Sequence, residues 1–145
     1  MSDNAPELVE EMFVQLAGGV TSQDGTMSLD RVSPSTLYFS DRPERVVGHM
    51  TTEQFVGEWS EGPGSFLADP PNAVLSFADA SGEMEDAVVI LRTPSLEGDS
   101  LRYSIDVLEG TVPQSAGPCT LFIDPLGRPL SPVSVAGMRR RERRR

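Results

Sequence analysis

The chain has 145 residues, the length of a single domain. Apolar residues make up 38% of it and charged residues 23%, which is typical of a soluble globular protein and unlike a collagen, a disulfide scaffold or a fully disordered chain. A chain of this length buries about 68–70% of its unfolded surface, so its core needs no metal or disulfide. No window approaches the roughly 18 apolar residues of a membrane span, so no transmembrane segment is predicted.

The net charge of −10 is unevenly distributed. Lysine is absent, and half of the 12 basic residues lie in an arginine-rich tail over residues 138–145. That tail carries +5, so residues 1–137 carry −15. An acidic body repels phosphate, which leaves the tail as the one place for nucleic acid or an anionic surface. The tail could equally contact the acidic body or a second copy; its candidate contact residues are Arg139, Arg140, Arg141, Arg143, Arg144 and Arg145.

The N-terminal sequence predicts an acidic arm over residues 1–11, followed by one β-rich domain over residues 12–137. Leu8, Met12 and Leu16 recur at helical spacing, although residues 12–16 also suit a strand. We expect a helical turn or loose arm and then a strand that ends at Gly18-Gly19. The N-terminus has no positive region and no long apolar stretch, so a secretory signal is not predicted and a cytoplasmic location is expected.

Most of the remaining chain predicts strands separated by turns. Asp24-Gly25 indicates a hairpin, because this dipeptide between extended segments favours a tight turn. Pro94 to Ser100 predicts a turn, and residues 101–107 alternate as a half-buried strand does. The predicted strands cover residues 26–32, 35–40, 73–77, 87–91, 101–107 and 119–123. Residues 125–137 contain three prolines and predict no regular structure.

The best helix candidate covers residues 51–60. Thr51 suits the N-cap position, and Glu53 and Gln54 suit the first turn. Phe55, Val56 and Trp59 would share one face of this helix. With about seven short strands, the sequence predicts an all-β fold, mostly an antiparallel β-sandwich or flattened barrel, with one short helix.

Polar residues gather in two segments on either side of the predicted helix, residues 38–49 and 69–72. Asp41, His49 and Asp69 could form a mononuclear metal site, because imidazole and carboxylate groups ligate zinc, iron or manganese. A buried hydrogen-bonding network is the alternative for the same residues. No other cofactor is predicted. As loop positions with unusual polar groups, the candidate binding residues are Asp41, Arg42, His49, Trp59, Asp69 and Asn72.

Standard catalytic motifs are missing from the sequence. No Gly-x-Ser-x-Gly elbow is present, and there is neither a phosphate-binding loop with lysine nor a lysine for a Schiff base. Cys119 is the sole cysteine and lies in an apolar run, which predicts a buried, inert thiol. An enzyme of a standard type is therefore not expected.

Several long motifs resemble those of a family of small bacterial proteins for which no activity is known. They are Ser33–His49, Ser65-Phe66, residues 69–76 (Asp-Pro-Pro-Asn-Ala-Val-Leu-Ser), residues 117–124 (Gly-Pro-Cys-Thr-Leu-Phe-Ile-Asp) and residues 129–137 (Pro-Leu-Ser-Pro-Val-Ser-Val-Ala-Gly). The resemblance covers roughly residues 12–140. It implies one compact domain whose pattern includes the loops at Asp41 and Asp69, and it carries no function with it.

Three functional hypotheses follow from these features. The first is a non-catalytic structural or binding module that self-assembles into a homo-oligomer. The second is a metal-binding protein or metal-dependent enzyme that uses Asp41, His49 and Asp69. The third is an adaptor for nucleic acid or anionic lipid that binds through the arginine tail. Of these, the missing catalytic motifs and the opposite charges of body and tail favour the first.

Overall fold

The computed structural model describes residues 11–40, 45–61 and 65–124. It confirms an all-β fold with one short helix. The nine strands are β1 (Glu11–Gln23), β2 (Thr26–Val32), β3 (Ser35–Ser40), β4 (Val46–Thr51), β5 (Asn72–Ala78), β6 (Met84–Glu97), β7 (Ser100–Glu109), β8 (Ser115–Ala116) and β9 (Cys119–Asp124). The helix α1 (Thr52–Gly57) follows β4 directly. No helix among the described residues has the length and apolar character needed to cross a membrane.

Six antiparallel strands close into a barrel. Around it the order is β1, β2, β7, β6, β5 and β9, and β9 pairs with β1 to complete the circle. β3 pairs with the first half of β1, and β4 pairs with β3, so these two strands extend the sheet beyond the barrel. We call β3 and β4 the arm, which is distinct from the acidic arm predicted over residues 1–11. The short β8 pairs with the end of β1.

Closure depends on β1, which is longer than the sequence predicts. The expectation that Gly18-Gly19 ends this strand is wrong, since β1 runs through both glycines. The first half of β1 pairs with β3 and the second half pairs with β2, so the glycines lie near the point where the partner changes. The Arg31 side chain packs over this point, and a Cβ on Gly18 would lie 2.6 Å from its Nε. Glycine suits such a bend because it allows close approach of a neighbouring group.

A second correction concerns Pro94, which does not begin a turn. β6 continues through it to Glu97. The pairing of β6 with β7 shifts between Arg92 and Ser95, where Thr93 has a φ of 48°. This bulge lets the strand accommodate a proline, which has no N–H for the ladder. The turn itself is confined to the residues after Glu97.

Other local predictions are confirmed. Gln23 pairs with Thr26 across the Asp24-Gly25 turn, and both turn residues have positive φ, as a two-residue hairpin requires. Thr51 caps α1, because its hydroxyl accepts from the Gln54 N–H at 2.9 Å while the Gln54 side chain accepts from the Thr51 N–H at 3.1 Å. This reciprocal capping box satisfies two donors at the helix start.

The barrel interior is filled with side chains. The largest that are almost fully buried are Tyr103, Met27, Leu29, Leu75, Leu91, Leu101, Leu121 and Ile123. An aromatic cluster that includes Phe55 of α1 packs against this core: Trp59 lies 4.9 Å from Phe66 and 5.8 Å from Tyr103 between ring centroids, and Phe13 lies 5.2 Å from Phe55. The interior is therefore a packed core and not a ligand cavity.

Candidate interaction surface

Outside the barrel, side chains of six neighbouring strands form a continuous row on one sheet face. Strand register places one residue from each of β6, β5, β9, β1, β3 and β4 side by side, because directly opposed residues share a face. In that order they are Val88, Val74, Phe122, Val14, Leu37 and His49. Five of the six are apolar, although this face points away from the barrel core.

Burial along this row falls from β6 towards β4. Val74 and Val88 are fully or almost fully buried, with Phe122 packed against them. On the arm, by contrast, Leu37 is 41% exposed, and Phe39 and Val47 on the same face are 39% and 78% exposed. Leu16 of β1 adds a further exposed apolar side chain. We call Leu16, Leu37, Phe39 and Val47 the arm face. An apolar cluster of this kind on a surface is typical of an interaction site.

The opposite side of the barrel has a different chemistry. Register aligns Thr21, Ser28, Arg102 and Ser95 across β1, β2, β7 and β6. Ser28 donates to Asp30 at 3.2 Å, and Arg92 forms an exposed ion pair with Asp106 at 3.0 Å. A shallow open groove of about 630 Å³ lies here, lined by hydroxyl, amide and charged side chains. The row of side chains on this side is thus polar, although Val107 and Leu108 near the end of β7 are also exposed.

The two chain segments that carry β3 and β4 contain no acidic residue. The chain contains 22 aspartates and glutamates, yet none lies in residues 31–40 or 45–52. The charged residues of these two segments are Arg31 and Arg45. In a protein of net charge −10, like-charge repulsion between two copies is reduced along these segments.

Within the described part of the chain, β4 lies at the end of the sheet and has one strand neighbour, β3. The β3–β4 pairing runs from Ser35–Thr51 to Ser40–Val46 without a register shift. β4 contains no proline, arginine, aspartate or glutamate, and proline and charged residues are what commonly protect such edges. Its outer backbone groups are therefore presented for pairing with a further strand.

A chain of buried polar side chains connects the barrel interior to the start of α1. The Tyr103 hydroxyl donates to Gln15 Oε1 at 2.7 Å, and Gln15 Nε2 donates to the Thr36 hydroxyl at 3.3 Å. Thr36 in turn shares a 2.8 Å hydrogen bond with Thr52, whose hydroxyl donates to the Ser33 carbonyl at 2.8 Å. Burial raises the pKa of Tyr103, so its hydroxyl stays protonated as a donor. This network fixes β3 and α1 against β1.

The residues predicted as binding candidates occupy different environments. His49 is exposed on β4, and Asp69 is exposed in the turn before β5. Trp59 and Asn72 are buried, at 4% exposure each. Asp41, Arg42 and the six tail arginines lie outside the described residues. Trp59 is a core residue by its contacts, and its indole N–H has no hydrogen-bond partner among the described residues.

The metal hypothesis stays a prediction. Among the described residues, no group of three or more histidine, cysteine, aspartate or glutamate side chains could hold a metal ion. Since Asp41 is not one of those residues, the set of Asp41, His49 and Asp69 is not tested by this observation.

Cys119 faces the core from β9, where its thiol donates to the Gly19 carbonyl at 3.8 Å. Burial raises the pKa of this thiol to about 11, and the nearby Asp30 carboxylate adds to the rise. Because the thiolate is the reactive form, we expect native protein at pH 8 to resist a chromogenic disulfide reagent. The same reagent should modify one thiol per chain in denaturant. Stoichiometric modification of the native protein would contradict this placement.

Sequence reasoning missed both the β4 strand and the arm face. Val46-Val47 is a β-branched pair that favours a strand, but it lies inside a segment whose polar residues dominated the interpretation. The arm face combines residues of three strands, β1, β3 and β4, so no local run of residues reveals it.

This architecture defines the class of the protein as a closed six-stranded antiparallel barrel with a two-stranded sheet extension. The chain matches no protein-family model, and neither curated proteins nor solved structures give a match. The resemblance to small bacterial proteins therefore stays a prediction.

Proposed function

We propose that the protein is a non-catalytic structural module that assembles with itself through its arm. The single observation that supports this most is the arm face, where Leu16, Leu37, Phe39 and Val47 are exposed on one face of the sheet that ends at β4, whose outer edge pairs with no described strand. Each such side chain removed from water contributes about 1.5–3 kcal/mol when fully buried. Covering even part of the arm face, Val47 at its edge above all, would therefore favour association.

A second copy fits this surface better than a partner of opposite charge. A basic partner would be attracted to the acidic remainder of the chain, since that is where the negative charge lies. Another acidic copy is repelled there and meets no acidic residue on the arm segments 31–40 and 45–52. A two-fold contact also needs just one self-complementary patch.

The test is sedimentation velocity over a range of protein concentrations, with wild type and two matched variants. Val47→Glu adds a charge at a side chain that is 78% exposed, so the fold should tolerate it. Leu108→Glu adds the same charge at another exposed apolar side chain, on β7, and serves as the control. We expect wild type and Leu108→Glu to form the same oligomer, and Val47→Glu to weaken it at least about tenfold in Kd. A wild type that stays monomeric at every concentration would refute the proposal.

The other hypotheses stay predictions, as does the cytoplasmic location. The metal hypothesis needs Asp41, and the adaptor hypothesis needs the arginine tail; both lie outside the described residues. No contact among the described residues favours either of them over self-assembly.

A further inference from the structure

We infer that the contact between copies is an antiparallel pairing of β4 with β4 of the second copy, which continues the sheet across a two-fold axis. This inference rests on the proposed function and specifies the geometry of the same surface. It predicts an assembly in which the strand order runs from β3 and β4 of one copy into β4 and β3 of the other.

The backbone of β4 supplies the first argument. An edge strand carries N–H and C=O groups without ladder partners, and another strand satisfies them all at once. β4 is six residues long, and its pairing with β3 has no bulge that would turn its backbone away. A contact through side chains of the arm face alone would leave these groups to water.

Symmetry supplies the second argument. A two-fold axis perpendicular to the sheet makes the pairing antiparallel and keeps both arm faces on one side. Opposed residues must then share a face, so the two-fold axis passes between two copies of the same residue. Near the middle of β4, that residue is Val47, Gly48 or His49. Centred on Gly48, the pairing puts Val47 of each copy opposite His49 of the other, so each Val47 is partly covered across the edge, while the two arm faces lie side by side on one side of the continuous sheet.

Charge supplies the third argument. Arg45 immediately precedes β4, and Glu53 lies in the first turn of α1 immediately after it. Antiparallel pairing brings the positive end of each strand towards the negative end of the other, whereas parallel pairing sets like charges together. The orientation that symmetry requires is thus also the one that the charges favour.

Spin labels on introduced cysteines test the geometry. The native thiol of Cys119 is buried, so the label attaches at the new site. A label at His49→Cys should show strong dipolar broadening in the oligomer, because a pairing centred on Gly48 brings the two Cα atoms within about 10 Å. Leu37→Cys, one strand further in, keeps the label off the pairing edge and should show weaker broadening at about 15–17 Å. Ser104→Cys, exposed on β7, is the control and should show none.

Mass and broadening, measured on the same samples, separate the two proposals. An oligomer with broadening at His49 and Leu37 supports strand pairing. An oligomer of unchanged mass without broadening at either site overturns strand pairing and leaves self-assembly standing. If the unlabelled wild type is a monomer, both proposals fail together.

Discussion

Replacing Trp59 with alanine should lower the free energy of unfolding by about 3–5 kcal/mol. Trp59 is 4% exposed and packs against Phe55, Phe66 and Tyr103 with ring centroids 4.9–5.9 Å away. Removing the indole would leave a cavity between α1 and the barrel, which the surrounding rings can fill only in part. Urea denaturation followed by far-ultraviolet circular dichroism measures the change, and it does not depend on the fluorescence of the residue that is removed.

The matched control is Trp59→Phe. The indole N–H of Trp59 makes no hydrogen bond to a described residue, so phenylalanine loses side-chain volume but no polar contact seen in this part of the chain. We expect a loss of about 1–2 kcal/mol for this variant, well below that for alanine. All three proteins are compared at one concentration, since self-association stabilises the folded state. Equal losses for both variants, or a loss below about 1 kcal/mol for alanine, would contradict the core position of Trp59.

Replacing Gly110 with alanine should lower the free energy of unfolding by about 2–4 kcal/mol. Gly110 directly follows β7 and has a φ of 78°, a conformation that alanine rarely adopts. A Cβ there would also lie 2.7 Å from the Asp86 carbonyl oxygen and 3.2 Å from the Ala87 Cα. Both are backbone atoms of β6, so they cannot move aside without disturbing the ladder.

Gly82→Ala separates the two causes. Gly82 has a φ of 91°, but no atom of the described residues lies within 4 Å of a Cβ placed there. Its loss should reflect backbone strain alone, about 1–2 kcal/mol. Thermal unfolding of the two variants beside wild type gives the comparison. Should Gly110→Ala prove no less stable than Gly82→Ala, the close approach of Gly110 to β6 would be wrong.

Local structure could be predicted from the sequence where turn and capping residues alone determine it. The bounds of β2 and β3 follow from the Asp24-Gly25 turn and from Ser33-Pro34, and the start of α1 follows from its capping box. Pro94 was misread because a bulge, which depends on the partner strand, accommodates it within β6. The length of β1 was misread for a similar reason, since the packing of Arg31 explains the two glycines.

Neither the closure of the barrel nor the exposure of the arm face could be predicted from the sequence. A barrel closes because β1 has different partners along its two halves, and that pairing joins strands far apart in the sequence. The pattern around Leu37 and Phe39 is that of an ordinary strand, and no neighbouring residue in the sequence indicates that these two side chains are exposed. The predicted binding residues and the arm face overlap on one strand, β4, which carries both His49 and Val47.

Amide hydrogen exchange of wild-type protein at low and high concentration tests the central claim most directly. If copies pair through β4, the amides of Val46–Thr51 should exchange more slowly at high concentration, while those of β7, on the opposite side, should not change. Exchange in Val46–Thr51 that is the same at every concentration, in samples whose mass shows association, would contradict pairing through this strand.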